Sequence, residues 1–303
     1  ALAPLGENAA ATIRANNDAG SVAAGTVAGT MYAYPMTSDN GYYLYYDKSV
    51  FKDPQDLQSL DRILDVAEAA GKKVHFKIND DGWYLASFFL TAGCTFSEDK
   101  KIDFNSENGV AAARAINALC RDPRFVNFGA DFDPSIIAGF GDGSVIAAVS
   151  GTWNAEKIAA EIGGENLGAT KLPVIEIAGV EAQMMGFGGY KLVGVNAGSR
   201  HPEDAVKLAA WLTNEENQLK RLRERSMAPA NKKAAEDPAV MENPALAALS
   251  EQMPYAVSQN NVPASYWVAA EGFGTDLVAG NVPDEALQGK LDVLTETVNN
   301  PIG

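Results

Sequence analysis

Short segments rich in strand-forming residues alternate with longer amphipathic segments along most of the chain. The strand-like segments are 29–35, 42–46, 74–78, 145–149 and 188–196, and the main helix-like ones are 7–15, 56–70, 83–92, 105–120, 134–140, 152–162, 202–212, 243–252, 264–279 and 284–298. This alternation is typical of α/β proteins. The 303 residues suffice for two domains or for one large α/β unit.

The composition favours a folded protein and excludes several partners. Hydrophobic residues make up 47% of the chain and charged residues 21%, so a sizeable core can form. The net charge of −15 argues against nucleic acids and anionic membranes, because Lys and Arg are needed to bind both. No apolar run approaches the roughly 20 residues that span a bilayer.

The sequence predicts neither a metal site nor a cofactor. Only two histidines, His75 and His201, are present, so a histidine-built metal site is not expected. The spacing of Cys94 and Cys120 matches no zinc or redox motif. A disulfide between them and a pair of buried thiols both remain open.

Three of the four tryptophans lie where a loop meets a helix. Trp83, Trp153 and Trp267 each flank glycine, proline or small polar residues, and such positions are poorly suited to a core. They are well suited to present flat apolar faces to a ligand such as a sugar ring. Trp211 instead lies within an amphipathic helix, and we expect it to be a core residue.

Acidic, amide and tyrosine side chains near these rings are candidates to bind ligand hydroxyls. Asp81 is part of the turn signal at 80–82 that directly precedes Trp83, and Glu271 lies one helical turn after Trp267, on the same face. Alternatively, these two carboxylates have no role in binding and lie in a solvated turn or on the surface. Tyr84 and Tyr266 adjoin two of the tryptophans and could equally be core residues.

Five segments resemble, in order, segments of the family 1 extracellular solute-binding proteins of ABC importers, and most closely their maltose/maltodextrin-binding branch. They are 29–48 (GTMYAYPMTSDNGYYLYYDK), 150–153 (SGTW), 196–218 (NAGSRHPEDAVKLAAWLTNEENQ), 263–267 (PASYW) and 280–287 (GNVPDEAL). Each segment alone is a weak signal, but the five together extend over nearly the whole chain.

The resemblance implies a two-lobed α/β fold like that of the class II periplasmic binding proteins. It places residues 1–37 and 190–232 in an N-terminal lobe and residues 38–189 and 233–303 in a C-terminal lobe, which carries all three junction tryptophans. In this family the tyrosine strand normally follows several βαβ units, whereas here it begins at Gly29. We therefore expect an incomplete N-terminal lobe, as in a truncated or processed protein.

The resemblance also implies a function and a site. The function is non-catalytic binding of a neutral, maltodextrin-like oligosaccharide outside the cytoplasm, by a periplasmic protein or a cell-surface lipoprotein, for delivery to the transmembrane subunits of an ABC permease. Trp153 corresponds to a sugar-stacking aromatic residue, and Trp267 and Trp83 correspond to further aromatic positions. A sugar-hydroxyl acceptor of the family lies near Asp39 and Asn40, and the sequence does not choose between these two.

Two other functions remain open from the residues alone. One is a glycosidase that uses paired carboxylates such as Asp81 and Glu271, although no glycosidase motif is present. The other is a surface domain with a decayed binding site.

Overall fold

The computed structural model describes residues 1–129 and 131–301, which fold into alternating helices and strands. The strands are β1 (Thr26–Val27), β2 (Thr30–Met31), β3 (Ala33–Asp47), β4 (Lys73–His75), β5 (Phe125–Val126), β6 (Val145–Gly151), β7 (Leu167–Thr170), β8 (Val174–Ile177), β9 (Val180–Gln183), β10 (Gly186–Gly194) and β11 (Ala256–Ser258). The helices are α1 (Glu7–Asn16), α2 (Ala19–Ala24), α3 (Leu60–Ala70), α4 (Gly82–Thr91), α5 (Glu107–Arg121), α6 (Phe132–Gly141), α7 (Ala155–Ile162), α8 (Pro202–Leu212), α9 (Glu215–Arg225), α10 (Pro238–Glu242), α11 (Pro244–Gln252), α12 (Tyr266–Val278) and α13 (Leu287–Asn299).

Strand β3 connects the two parts of the main sheet. Its first half pairs antiparallel with β10, and its second half pairs antiparallel with β6 and β7. At one end of the sheet, β11 lies beside β10. At the other end, β4 lies beside β6, and β5 lies beside β4. The pairing is parallel at both ends. The pairing is therefore antiparallel on both sides of β3 and changes to parallel across β10 on one side and across β6 on the other.

The prediction of two separate strands at 29–35 and 42–46 is wrong, because β3 runs without interruption through the polar residues 37–41. Strand β3 continues through these residues because their polar side chains have partners inside the strand pair. The Asp39 carboxylate accepts hydrogen bonds from Thr37 Oγ1 at 2.7 Å and from Lys191 Nζ of β10 at 2.8 Å. Satisfied in this way, polar side chains do not have to leave the sheet for solvent.

The larger hydrophobic core lies around the parallel part of the sheet. Helix α3 contributes Leu60, Ile63, Leu64 and Ala67 at helical spacing and ends at Gly71, whose φ of 65° belongs to the left-handed region. Helix α5, within the predicted segment 105–120 except for its last residue, begins at Glu107 and is capped by Ser106, whose hydroxyl accepts a hydrogen bond from the Gly109 N–H.

A smaller core lies at the other end of β3. It is formed by the buried residues Ala10, Ile13, Met31, Tyr34, Val195 and Ala209. The predicted lobe boundaries at 37/38 and 189/190 fall inside the paired strands β3 and β10. They remain predictions, and the predicted C-terminal lobe includes residues 130, 302 and 303, which lie outside the described residues.

The prediction that Trp211 is a core residue is wrong. Its side chain is 58% exposed on α8, and Leu208 is 55% exposed beside it. Helix α8 packs on the smaller core through Ala205 and Ala209, which are four residues apart and therefore share one face. These small side chains bring that face close to its neighbours and leave the tryptophan on the outer face.

Both cysteines are free thiols. Cys94 is buried and Cys120 is partly buried. Burial raises the pKa of Cys94 to about 12 and that of Cys120 to about 11, which keeps both protonated at neutral pH. Of the two possibilities that the sequence left open, the structure has the separate thiols.

Replacing Phe104 tests the larger core. Its ring is fully buried and stacks on Phe89 with the ring centres 4.3 Å apart. We expect Phe104→Ala to lower the free energy of unfolding by about 3–5 kcal/mol, because it leaves a cavity. Trp211→Ala is the control and should cost less than about 1 kcal/mol, as for other exposed positions. Urea denaturation measures both, and equal losses would contradict the assignment of Trp211 to the surface.

Candidate functional site

The first side chain of the candidate site, Trp83, lies in the first turn of α4. The N-terminus of this helix is capped by Asp81, whose carboxylate accepts a hydrogen bond from the Trp83 N–H at 2.8 Å. Next to it, a Cβ on Gly82 would lie only 2.9 Å from Cβ of Ala270 in α12. The absence of that atom brings the start of α4 against α12.

The second side chain, Trp153, follows the end of β6. The chain makes a 3-10 turn at Thr152–Asn154 before α7 begins at Ala155, so the α-helix starts three residues later than the predicted segment 152–162. The tight turn folds the indole back across Gly151, where an added Cβ would lie 2.0 Å from a ring carbon. The ring remains 40% exposed, and its Nε1–H donates to Asp133 Oδ2 at 3.1 Å.

The rings of Trp83 and Trp153 form a two-ring surface, which we call the aromatic platform. Their centroids are 6.1 Å apart and their planes are tilted by 36°. Tyr42 contacts Trp83 edge-on at 4.5 Å. Packing of this kind fixes the inner side of the platform, while the exposed part of Trp153 remains available to a ligand.

Trp267 lies at the start of α12, the helix that packs against the start of α4. Its half-buried ring lies 5.3 Å from that of Tyr266 and 6.1 Å from that of Phe187. The Trp267 carbonyl oxygen would be 3.3 Å from a Cβ on Gly82. The structure therefore brings all three junction tryptophans to neighbouring helix starts, with direct ring contact between two of them.

Two carboxylates lie beside these helix starts. Asp81 and Glu271 are both half-buried. Burial is the main cause that raises the pKa of Asp81, and repulsion by Glu271 adds to it, so this carboxyl holds its proton to a higher pH than usual. Both acids can accept hydrogen bonds from a hydroxyl-bearing ligand.

The structure does not support direct ligand contacts for three of the predicted residues. Tyr266 is fully buried and donates its hydroxyl to the Gly82 carbonyl at 2.8 Å, and Tyr84 is 3% exposed and packs on Tyr42. Asp39 is 1% exposed and binds Lys191 and Thr37, as described above. Asp39 and Tyr266 are thus buried with internal hydrogen-bond partners, and the buried Tyr84 is held by ring packing while its hydroxyl has no hydrogen-bond partner among the described residues. Asn40 is half-buried on β3, opposite Gly189.

Sequence reasoning missed two residues of this region. Asp133, in the first turn of α6, bonds Trp153 as described. Lys77 is 2% exposed, and its ammonium donates to the carbonyls of Gly129 at 2.8 Å and Phe128 at 3.3 Å. Burial lowers the pKa of Lys77, although Asp80 and the neighbouring acids oppose this. The one sequence signal for Lys77 was a single charged residue near the end of an apolar strand, shortly before Asn79.

No group of side chains among residues 1–129 and 131–301 is arranged to hold a metal ion. No helix in the same part of the chain is long and apolar enough to cross a membrane. A groove of about 620 Å³ lies at the other end of the molecule, between α1, α8 and residues 231–233, and contains none of the predicted site residues.

The candidate site around Trp83, Trp153 and Trp267 is a surface of aromatic rings and carboxylates, which suits the binding of a polyhydroxylated ligand.

Comparison with known proteins identifies relatives over most of the chain. Residues 1–248 match the family model described as bacterial extracellular solute-binding protein. A galactooligosaccharide-binding protein of Bacillus subtilis is 30% identical, over 86% of this chain and 63% of that protein. The chain therefore spans less than two thirds of the length of this curated relative.

Solved structures share the fold. One solved with acarbose has a TM-score of 0.90 and 34% identity, over 99% of this chain and 79% of that one. A maltodextrin-binding protein from L. casei has a TM-score of 0.87 at 22% identity, over 99% and 79% of the two chains. A maltotriose-binding protein from Thermus thermophilus has 0.82 at 20%, over 100% and 80%. The predicted α/β fold of the two-lobed periplasmic binding proteins is confirmed.

Replacing Gly151 tests how the Trp153 ring is held. Gly151→Ala places a methyl group where the indole lies, so we expect the ring to swing outward into solvent. Acrylamide quenching of tryptophan fluorescence should increase, and the increase should be absent when Trp153→Phe is also present. Gly164→Ala is the matched control, because a Cβ there meets nothing within 4 Å. Unchanged quenching in Gly151→Ala would refute the described ring position.

Proposed function

The chain belongs to the bacterial extracellular solute-binding proteins, and from this premise we propose that it binds a neutral oligosaccharide for delivery to an ABC sugar importer. The proposed ligand is maltodextrin-like, and the sugar is released chemically unchanged. The proposed partners are the transmembrane subunits of the permease. Binding would take place outside the cytoplasm, by a periplasmic protein or a surface lipoprotein.

The observation that carries this proposal is the aromatic platform. A pyranose ring has an apolar face of C–H groups and an equator of hydroxyls, so it stacks on a flat aromatic ring while its edge remains polar. Trp153 offers such a ring at 40% exposure, and Trp83 extends it at a centroid distance of 6.1 Å. Two adjoining rings suit consecutive sugar units better than a single small solute.

The carboxylates beside the platform supply the second requirement. Each sugar hydroxyl that is buried without a hydrogen-bond partner costs about 1–3 kcal/mol, so the site must offer acceptors. Asp81 and Glu271 are half-buried at the starts of the neighbouring helices α4 and α12. Their position relative to Trp83 and Trp267 supports a role as hydroxyl acceptors.

The sugars bound by relatives support an oligosaccharide as the ligand class. The Bacillus subtilis relative is named for galactooligosaccharides, and the structure with 34% identity was solved with acarbose. The five segments shared with the maltodextrin branch favour an α-glucan for this chain. A galactooligosaccharide is accordingly the main alternative ligand to compare in a binding test.

Delivery requires that binding change the shape of the protein. In two-lobed proteins this change is closure of the lobes around the ligand by bending of the strands that connect them. Strands β3 and β10 are the corresponding segments here, since both extend from the smaller core towards the larger one. The closed shape would then be what the permease recognises.

Titration with maltotriose tests the proposed function. We expect saturable changes in tryptophan fluorescence, because the platform is partly exposed, and recovery of intact maltotriose by mass spectrometry. Galactotriose and acarbose are titrated in parallel to rank the ligands. Released glucose or maltose would instead support a glycosidase, and the absence of any response to all three sugars would refute the proposal.

Removing a platform ring should weaken binding without unfolding the protein. We expect Trp153→Ala to raise the Kd for maltotriose by about 10- to 100-fold, the effect of losing roughly 1.5–3 kcal/mol of stacking and apolar burial. Its melting temperature should change little, because the ring is 40% exposed. Trp211→Ala is the control, since it removes an exposed indole far along the chain, and its Kd should stay within twofold. An equal loss of affinity in both variants would rule out a specific role for Trp153.

A further inference from the structure

Three side-chain donors converge on the carboxylate of Asp133. Trp153 Nε1 donates to Oδ2 at 3.1 Å, and Asn154 Nδ2 donates to Oδ1 at 2.5 Å. Ser150 Oγ lies 3.5 Å from the same Oδ1. All three donors belong to the segment 150–154, which carries the β6 strand into α7, whereas the acceptor belongs to α6.

The partners of Asp133 are themselves held firmly. Asn154 and Ser150 are fully buried, and Asn154 Nδ2 also donates to Ser150 Oγ at 3.0 Å. On the neighbouring strand, the Tyr45 hydroxyl donates to the Gly151 carbonyl at 2.9 Å. The indole of Trp153 is therefore fixed from two sides, by Gly151 beneath its face and by Asp133 at its N–H edge.

We infer that Asp133 is a positioning residue, which fixes the Trp153 indole in the orientation that forms the aromatic platform with Trp83. This inference rests on the proposed oligosaccharide function. A ring that is already oriented loses less side-chain freedom when a sugar stacks on it, so more of the stacking energy appears as affinity. Asp133 does not have to touch the ligand to have this effect.

The neighbouring Asp131 provides an internal comparison. Both acids lie at the start of α6, where negative charge is favourable near the positive end of the helix dipole. Asp131 is exposed and its side chain caps no backbone N–H of the helix. An effect of charge alone would appear in substitutions of either acid, whereas positioning of the ring involves only Asp133.

The first test observes the ring in the absence of ligand. Protein with ¹⁵N-labelled tryptophan gives an indole N–H signal for each ring, and Trp153→Phe assigns that of Trp153. In Asp133→Ala this signal should move upfield and broaden, because the bond to the carboxylate is lost, while the Trp267 and Trp211 signals stay in place. Asp131→Ala should leave all four signals unchanged. An unmoved Trp153 signal in Asp133→Ala overturns the inference, whether or not the protein binds sugar.

The second test asks whether Asp133 acts through Trp153. Asp133→Ala should raise the Kd for maltotriose about five- to tenfold in the native background, as expected for the freeing of one side chain. In the Trp153→Phe background the same substitution should change the Kd less than twofold, because phenylalanine has no N–H to be held. An equal loss in both backgrounds overturns the inference. Failure of the native protein to bind any sugar refutes the proposed function instead. In that case the indole N–H signal of Trp153 alone tests whether Asp133 positions the ring.

A variant with the same shape covers the case in which Asp133→Ala does not fold. Asp133→Asn keeps the size of the side chain and one acceptor oxygen, but its amide nitrogen replaces the other oxygen and so faces at least one of the three donors that now bond to the carboxylate. It should shift the Trp153 signal in the same direction by a smaller amount. A signal identical to that of the native protein would overturn the inference.

Discussion

The pairing of strand β3 is the constraint on which the rest of the structure depends. This strand of 15 residues pairs with β10 in its first half and with β6 and β7 in its second half. A shift of one residue in its register would turn every side chain to the opposite face and would disrupt both hydrophobic cores at once. The same strand holds β6 in place, and the end of β6 determines where Trp153 begins its turn. The position of the candidate site therefore follows from the register of β3.

Much of the fold could be predicted from the sequence, because it depends on local patterns. Helix α3 shows apolar residues at helical spacing and ends at Gly71, within the predicted segment 56–70, and helix α5 lies close to the predicted segment 105–120. The errors arose where distant residues decide the outcome. The polar residues around Asp39 stay in a strand because Lys191, far along the chain, meets the carboxylate. Trp211 faces outward because Ala205 and Ala209 pack more closely on the smaller core.

The candidate site shows the same division. Residue type and position at a loop–helix junction were enough to select Trp83 and Trp153, and the structure places their rings together. Exposure could not be predicted for Tyr266 and Tyr84, since it depends on how closely α4 and α12 approach each other at Gly82. Asp133 was missed for a related reason. Its bond to Trp153 joins residues 20 positions apart on different elements, and no local pattern records such a contact.

The contact between the two indoles of the platform also has an optical consequence. Two identical chromophores at a centroid distance of 6.1 Å, tilted by 36°, have transition dipoles close enough to couple. Coupled transitions of this kind produce a paired circular-dichroism signal of opposite signs, whose intensity depends on the distance and angle between the rings. The protein thus contains a label-free reporter of the geometry of its own site. A sugar that stacks on the rings, or a change that turns one of them, alters that signal even where the total fluorescence stays the same.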